Sequence, residues 1–212
     1  AEIKAMVERS QLLPAKEALL KQAAVVKIAH TSTSIEGNRL AEYQVAKLAQ
    51  GKAIQADTDE ILEVKNYLKA LNYIGRLALL HNQFDANDIL DIHKIVIQSL
   101  IDKTKTGIWR KGPVYVVNIL PKGKEQLVYT PPPSSEVTGL IENLLYWLKK
   151  NQHIHPVIRS GLFHYQFETI HPFTDGNGRT GRLMTLLHLY QSGWDFRKAL
   201  VLEDYYNRDR KK

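Results

Sequence analysis

Apolar positions recur every three or four residues through most of this chain and give way to strand-forming runs in one place. Residues 15–30, AKEALLKQAAVVKIAH, are rich in alanine and leucine and predict a helix. The next residues, TSTSIEGNRL, are expected to stop it, with Gly37 and Asn38 as C-terminal caps. A second helix is expected from Ala41 to about Gln50. Asp57 or Thr58 then caps a long helix with Ile61, Val64, Leu68, Leu71 and Ile74 at helical spacing. Asp85 or Asn87 opens another, with Ile89, Ile92, His93, Val96 and Leu100 on one side.

The texture changes near Gly107. GIWRKGPVYVVNILPKGKEQLVYTPPP holds β-formers at Val114 to Ile119 and Gln126 to Thr130 around PKGKE, which reads as a small hairpin. Pro131 to Pro133 end it. Ser134 or Ser135 is expected to cap a helix carrying Val137, Leu140, Leu144, Trp147 and Leu148. His155 and Pro156 open the next, largely apolar toward Ile170. A last long helix, starting near Arg179, places Leu183, Leu186, Leu187 and Tyr190 on one stripe and ends at Gly193. The sum is about eight helices and one hairpin, a mainly α-helical single domain.

Composition narrows the chemistry. The 212 residues contain no cysteine, which excludes disulfides, thiol catalysis and cysteine-bound zinc. No apolar run approaches the ~20 residues that span a bilayer, so no membrane partner is expected. The first residues, AEIKAMVERSQLLPAKE, are charged and lack the apolar centre of a signal peptide. A cytoplasmic location is the expectation. The net charge is +7, with contributions from Lys103, Lys105, Lys111, Lys122, Lys124 and the terminal NRDRKK. A solvated surface with anion-binding arginines accounts for it, and nucleic acid is not expected as a partner of this segment.

The chemistry concentrates in HPFTDGNGRTGR, His171 to Arg182. GNGRTG formally matches G-x-G-x-x-G, but the preceding VIRSGLFHYQFETI has helical rather than strand spacing, so the dinucleotide reading fails. A calcium loop starting at Asp175 and Asn177 fails at Arg179 and at Leu186 in the twelfth position. A phosphate-binding loop of G-x-x-x-x-G-K-[ST] type fails for want of the lysine. What remains is a turn between two helices. Gly176 and Gly178 let backbone N–H groups approach an anion, and the second helix points its positive end at the same place. Arg179 and Arg182, three residues apart, offer planar forks to phosphate oxygens. Asp175, the only carboxylate of the loop, can share Mg²⁺ with phosphates. Asn177 can fix the loop or touch a phosphate. His171 can take a proton from an attacking hydroxyl near neutral pH. Pro172 and Phe173 anchor the turn.

The stretch resembles the Fic signature, H-P-F-x-[DE]-G-N-G-R-x-x-R, with every defining position filled. GIWR, VYTPPP and HYQFETIHPF extend the resemblance over about 150 residues, from the helix near residue 60 onwards. It implies a Fic (Fido) helical bundle with a hairpin flap at about 113–131. It also implies transfer of AMP from ATP to a Ser, Thr or Tyr hydroxyl of a target protein and of the enzyme itself, a nucleotidyltransferase reaction that releases pyrophosphate. His171 would be the base and Asp175 the Mg²⁺ ligand. Gly176, Asn177, Gly178, Arg179, Thr180, Gly181 and Arg182 would hold the nucleotide phosphates. Gln126, Leu127, Val128 and Tyr129 would receive the target segment as an added strand. Tyr205, with Asn207, would line the adenosine pocket.

STSIEGN, 32–38, is similar to the inhibitory motif [ST]-x-x-x-E-[GN] of many Fic proteins, through Ser32, Glu36 and Gly37. Glu36 would form a forked ion pair with Arg182 and push the γ-phosphate aside. The resemblance divides the chain into an N-terminal segment, 1–50, that carries the brake, and a Fic core, 51–212. Alternatives from the same fold are removal of AMP and a different donor. From another class comes a non-catalytic nucleotide-binding regulator. Self-association is left open.

Overall fold

Helix α1 (Pro14–Ile35) begins with a proline at its first turn, where the missing N–H costs nothing. The computed structural model to which it belongs describes residues 5–6, 9, 13–80, 83–120, 123–196 and 201–202. The helix runs through the hydroxyl residues 31–34 and stops inside the expected stretch. Thr31, Ser32 and Thr33 are buried, and the Thr33 hydroxyl donates back to the Ala29 carbonyl at 2.9 Å. Tertiary burial thus outweighs the weak helix preference of these residues. The helix ends at the expected glycine, with Glu36 at its C-cap and Gly37 at φ 101°. Ser32 and Glu36 therefore stand one turn apart on one face.

Six more α-helices follow among the described residues, against the eight expected in the whole chain. They are α2 (Glu42–Ala49), α3 (Thr58–Leu80), α4 (Ala86–Val96), α5 (Val137–Lys150), α6 (Pro156–Ile170) and α7 (Asn177–Gln191). Asp57 accepts from the N–H groups of Asp59 and Glu60 at the start of α3, and Asp85 caps α4 through Asn87 and Asp88. The His155 ring caps α6 through Val157 N–H. The expected serine cap of α5 is corrected: a short 3₁₀ turn, Ser134–Glu136, precedes it, and Ser134 donates to the Lys111 carbonyl instead.

Helix α7 is enclosed on nearly all sides, and α6, α3 and α4 pack around it. One apolar cluster runs from Val26 and Ile28 of α1 through Tyr67 and Ile74 of α3 and Ile92 of α4 to Phe163 and Phe167 of α6 and Leu183 and Leu187 of α7. Full enclosure explains why α7 carries buried residues off the apolar stripe, the two arginines included.

The hairpin is present and slightly shorter than expected. Strands β1 (Val116–Ile119) and β2 (Glu125–Tyr129) pair antiparallel, with Val117 opposite Leu127 and an irregularity between Val116 and Val117. The sheet has two strands, so one edge of β2 has no partner strand among the described residues. The Tyr129 hydroxyl donates to the Thr169 carbonyl at 3.0 Å and ties the hairpin to the end of α6.

Candidate active site

His171 caps α6 in the left-handed conformation, φ 50° and ψ 61°, and Pro172 prevents the helix from continuing. The ring Nδ1 faces the Glu168 carbonyl at 3.3 Å. A carbonyl can only accept, so Nδ1 carries the hydrogen and Nε2 keeps the lone pair. Burial pushes the imidazole below its ordinary value, and the nearby Arg110 guanidinium pushes the same way. The ring is therefore a neutral base at pH 7.

Arg110 holds the helix end that presents this ring. Its guanidinium donates to the carbonyls of His171 at 2.7 Å, Ile170 at 3.3 Å, Gly112 at 3.1 Å and Pro132. Its own N–H donates to the Pro172 carbonyl at 2.9 Å. A buried cation thus satisfies the orphan carbonyls at the negative end of α6 and joins them to both feet of the hairpin.

The turn itself is braced from within and from α4. Phe173 is buried and stacks on the His93 ring at 3.7 Å and 1°. The His93 Nε2 lies 3.0 Å from the Asp175 carbonyl, and its Nδ1 accepts the Gly107 N–H at 3.0 Å. Asn177 closes the turn: its Oδ1 accepts Phe173 N–H at 2.8 Å and its Nδ2 donates to Phe173 C=O at 2.9 Å. These two bonds are the loop-fixing role expected of Asn177. Gly176 takes φ 77° at the N-cap of α7, which starts at Asn177, two residues before the expected Arg179.

The two arginines are gathered but differently engaged. Arg179 donates to Glu63 of α3 at 2.6 Å and to the Asp175 carboxylate at 3.0 Å, while its buried Nε has no partner among the described residues. Glu63 also accepts from Asn38 at 2.7 Å. Arg182 donates from Nε to the Ser32 hydroxyl at 2.7 Å, and from Nη2 to the Ser32 carbonyl at 3.0 Å and to Glu36 at 2.7 Å. The fork expected between Glu36 and Arg182 is divided: Nη2 is shared by Glu36 and the Ser32 carbonyl, and Nε meets the Ser32 hydroxyl. Burial works against the Arg182 charge, and Glu36 overcomes it. A Cβ on Gly178 would sit 2.5 Å from Glu36 Oε1 and 2.9 Å from Arg182 Nη1, so the glycine makes room for this pair.

The remaining expected residues fall in two places. Thr180 is fully buried in α7, and Gly181 abuts Phe167 and Glu168 of α6, where it permits close helix packing. Gln126, Leu127, Val128 and Tyr129 form exposed strand β2. Tyr205 and Asn207 lie outside the described residues. His93, Glu63 and Glu168 went unassigned, as did a role for Arg110. The available signal for His93 was a histidine on the apolar stripe of α4.

The fold and corner define a class: a helical domain that presents an imidazole, an amide turn and two buried arginines between consecutive helices. The chain belongs to the Fic/DOC family, whose profile matches residues 83–189. It is 32% identical over 183 residues to Protein adenylyltransferase Fic of Aedes aegypti, covering 82% of this chain and 34% of that protein. It is 29% identical to Protein adenylyltransferase fic-1 of Caenorhabditis elegans, over 83% of this chain and 34% of that protein. The chain thus spans about a third of the length of the curated relatives it matches. Among solved structures it is similar to a Fic family protein from Desulfovibrio desulfuricans G20, with a TM-score of 0.78 and 32% identity, over 97% of this chain and 60% of that one.

Proposed function

We propose that this chain transfers AMP from ATP to a Ser, Thr or Tyr hydroxyl of a target protein and of itself, and that Glu36 restrains the reaction. The observation that carries the reading is the convergence at one corner of a neutral imidazole, an amide turn and two buried arginines. The names of the relatives agree with it.

In this reading the hydroxyl proton passes to His171 Nε2 as the oxygen attacks the α-phosphorus. A new P–O bond forms, the bond to the bridging oxygen breaks, and pyrophosphate leaves. The amides of the first turn of α7 and the guanidinium of Arg182 hold the phosphate oxygens. Arg179, held by Glu63, steadies the Asp175 carboxylate beside the turn. Asp175 fits a hard divalent cation. Its side chain is half exposed, and no group of three His, Asp or Glu gathers among the described residues, so phosphate oxygens would complete the shell. When bound, Mg²⁺ would neutralise phosphate charge.

Glu36 pairs with Arg182, and there it would take the side of the guanidinium that a γ-phosphate requires. Residues 1–50 would then act as the restraining segment and 51–212 as the core. The open edge of β2 would pair with the target segment, and Tyr205 would meet the adenosine. The cytoplasm, which supplies ATP and Mg²⁺, suits this reaction. No helix among the described residues is long and apolar enough to cross a membrane.

The test is mass spectrometry after incubation with ATP and Mg²⁺. A gain of one AMP that disappears in His171→Ala supports the reading. Nucleotide binding without transfer, even in Glu36→Gly, would replace it with a nucleotide-binding regulator.

A further inference from the structure

Glu168 lies one turn before His171 on α6, and the base reaction does not use it. Its side chain keeps 32% of its surface, yet its Oε1 is sealed from solvent and has no hydrogen-bond partner. That oxygen points at Gly181 of α7, where an added Cβ would meet it at 2.6 Å. The other oxygen, Oε2, stands 4.0 Å from His171 Nδ1. A buried carboxyl oxygen without a donor is costly to keep, so its retention beside the ring calls for a role.

We propose that Glu168 is the positioning residue of His171: its carboxylate stands at the Nδ1 edge and steadies the imidazolium formed when the ring takes the hydroxyl proton. This rests on the reading of His171 as the base. The proton stays on Nε2 and Glu168 takes none. Its charge lowers the energy of the protonated ring while the P–O bond forms, and the backbone carbonyl of the same residue fixes the ring's orientation.

The charges around the pair determine when this works. Arg182 of α7 faces Glu168 and favours its ionised form, and Glu36 at the end of α1 opposes it. Tyr67 of α3 lies near Arg182, and His164 stands one turn earlier on α6. Arg110 and Asp175 act on the His171 side. Burial, with Glu36 adding to it, pushes the carboxyl up to about 7. His171 titrates lower than its ordinary value, so it loses its proton first as pH rises, and Glu168 follows. Charge support for the imidazolium therefore switches on near neutral pH.

The experiment uses Glu168→Gln, nearly isosteric, in the full chain. Histidine ring signals followed by NMR should show His171 moving in two steps in the parent, the upper one near pH 7 where Glu168 ionises. The upper step should vanish in Glu168→Gln. In the Glu36→Gly background, Glu168→Gln should lower AMP transfer above pH 7 roughly tenfold, with the KM for ATP unchanged. The rise of rate with pH, displaced downward in this background because Glu36 no longer raises Glu168, should flatten, and Glu168→Asp should recover part of it. A folded Glu168→Gln protein with the same two-step titration, or with an unaltered rate–pH profile, overturns the proposal. Loss of the upper step with no transfer in any variant supports the coupling and overturns the AMP-transfer reading instead.

Discussion

Arg182 and Glu36, 146 residues apart in the chain, meet at 2.7 Å, and Ser32 holds the same guanidinium from its other side at 2.7 Å. The contact exists because α1 continues through Ser32 instead of ending before it. One helical turn then places hydroxyl and carboxylate together over the start of α7.

Glu36→Gly should raise AMP incorporation from labelled ATP at least tenfold, because Arg182 is then released to the nucleotide. The Arg182 side chain is only 7% exposed, so removing its carboxylate partner should lower stability by about 3 kcal/mol, checked by denaturant melts. Incorporation no higher than in the parent would remove Glu36 as the brake. Arg182→Ala should weaken nucleotide binding more than His171→Ala does, measured by calorimetry.

Gly178→Ala should have opposite effects in two backgrounds. In the parent the new methyl meets Glu36 Oε1 and Arg182 Nη1 well inside contact distance, which should cost about 1–2 kcal/mol. With Glu36→Gly the nearest obstacle is gone and alanine's helix preference adds about 0.5–1 kcal/mol. A double-mutant cycle should give a coupling above about 1 kcal/mol. A coupling near zero would show that the glycine is not there to admit the pair.

The turn was legible because its chemistry is contiguous: twelve successive residues hold the base, the glycines, the carboxylate and both arginines. Helix α7 was legible through Leu183, Leu186 and Leu187, and the hairpin through its β-branched runs. What escaped comes from other elements. His93, Glu63 and Arg110 reach the turn from α4, α3 and the hairpin's foot, and nothing in their local sequence shows which groups of the turn they will satisfy. The end of α1 was legible in Gly37, but the burial of Thr31, Ser32 and Thr33 just before it was not, because propensity disfavours Thr-Ser-Thr in a helix and only packing against the core holds it.

His93→Phe tests the brace on the turn. Phenylalanine keeps the stacking on Phe173 but leaves Gly107 N–H and Asp175 C=O without their partner. Two stranded polar groups should cost about 2–4 kcal/mol, read as a lower denaturation midpoint with an unchanged slope. Nucleotide affinity should fall as well, since the Asp175 and Gly176 backbone is released from α4. A midpoint equal to that of the parent would show that packing alone supports the turn.

His188 gives the fold a defined weakness to acid. It is buried on α7, its Nε2 accepts from the Arg159 Nε at 3.1 Å, and burial together with the Arg159 charge lowers it from 6.5 to about 4. Between those values the unfolded chain binds a proton that the folded one refuses, so unfolding gains as pH falls. The contribution is complete above pH 6.5 and fades as pH drops toward 4, at about 1.4 kcal/mol per unit. His188→Gln, whose amide oxygen can still accept from Arg159, removes this one proton and leaves every other titrating group in place. Its unfolding free energy, plotted against pH over that window, should be flatter than the parent's by close to one proton. Parallel curves would mean that His188 is already protonated in the fold and that Arg159 does not face it as an unopposed cation.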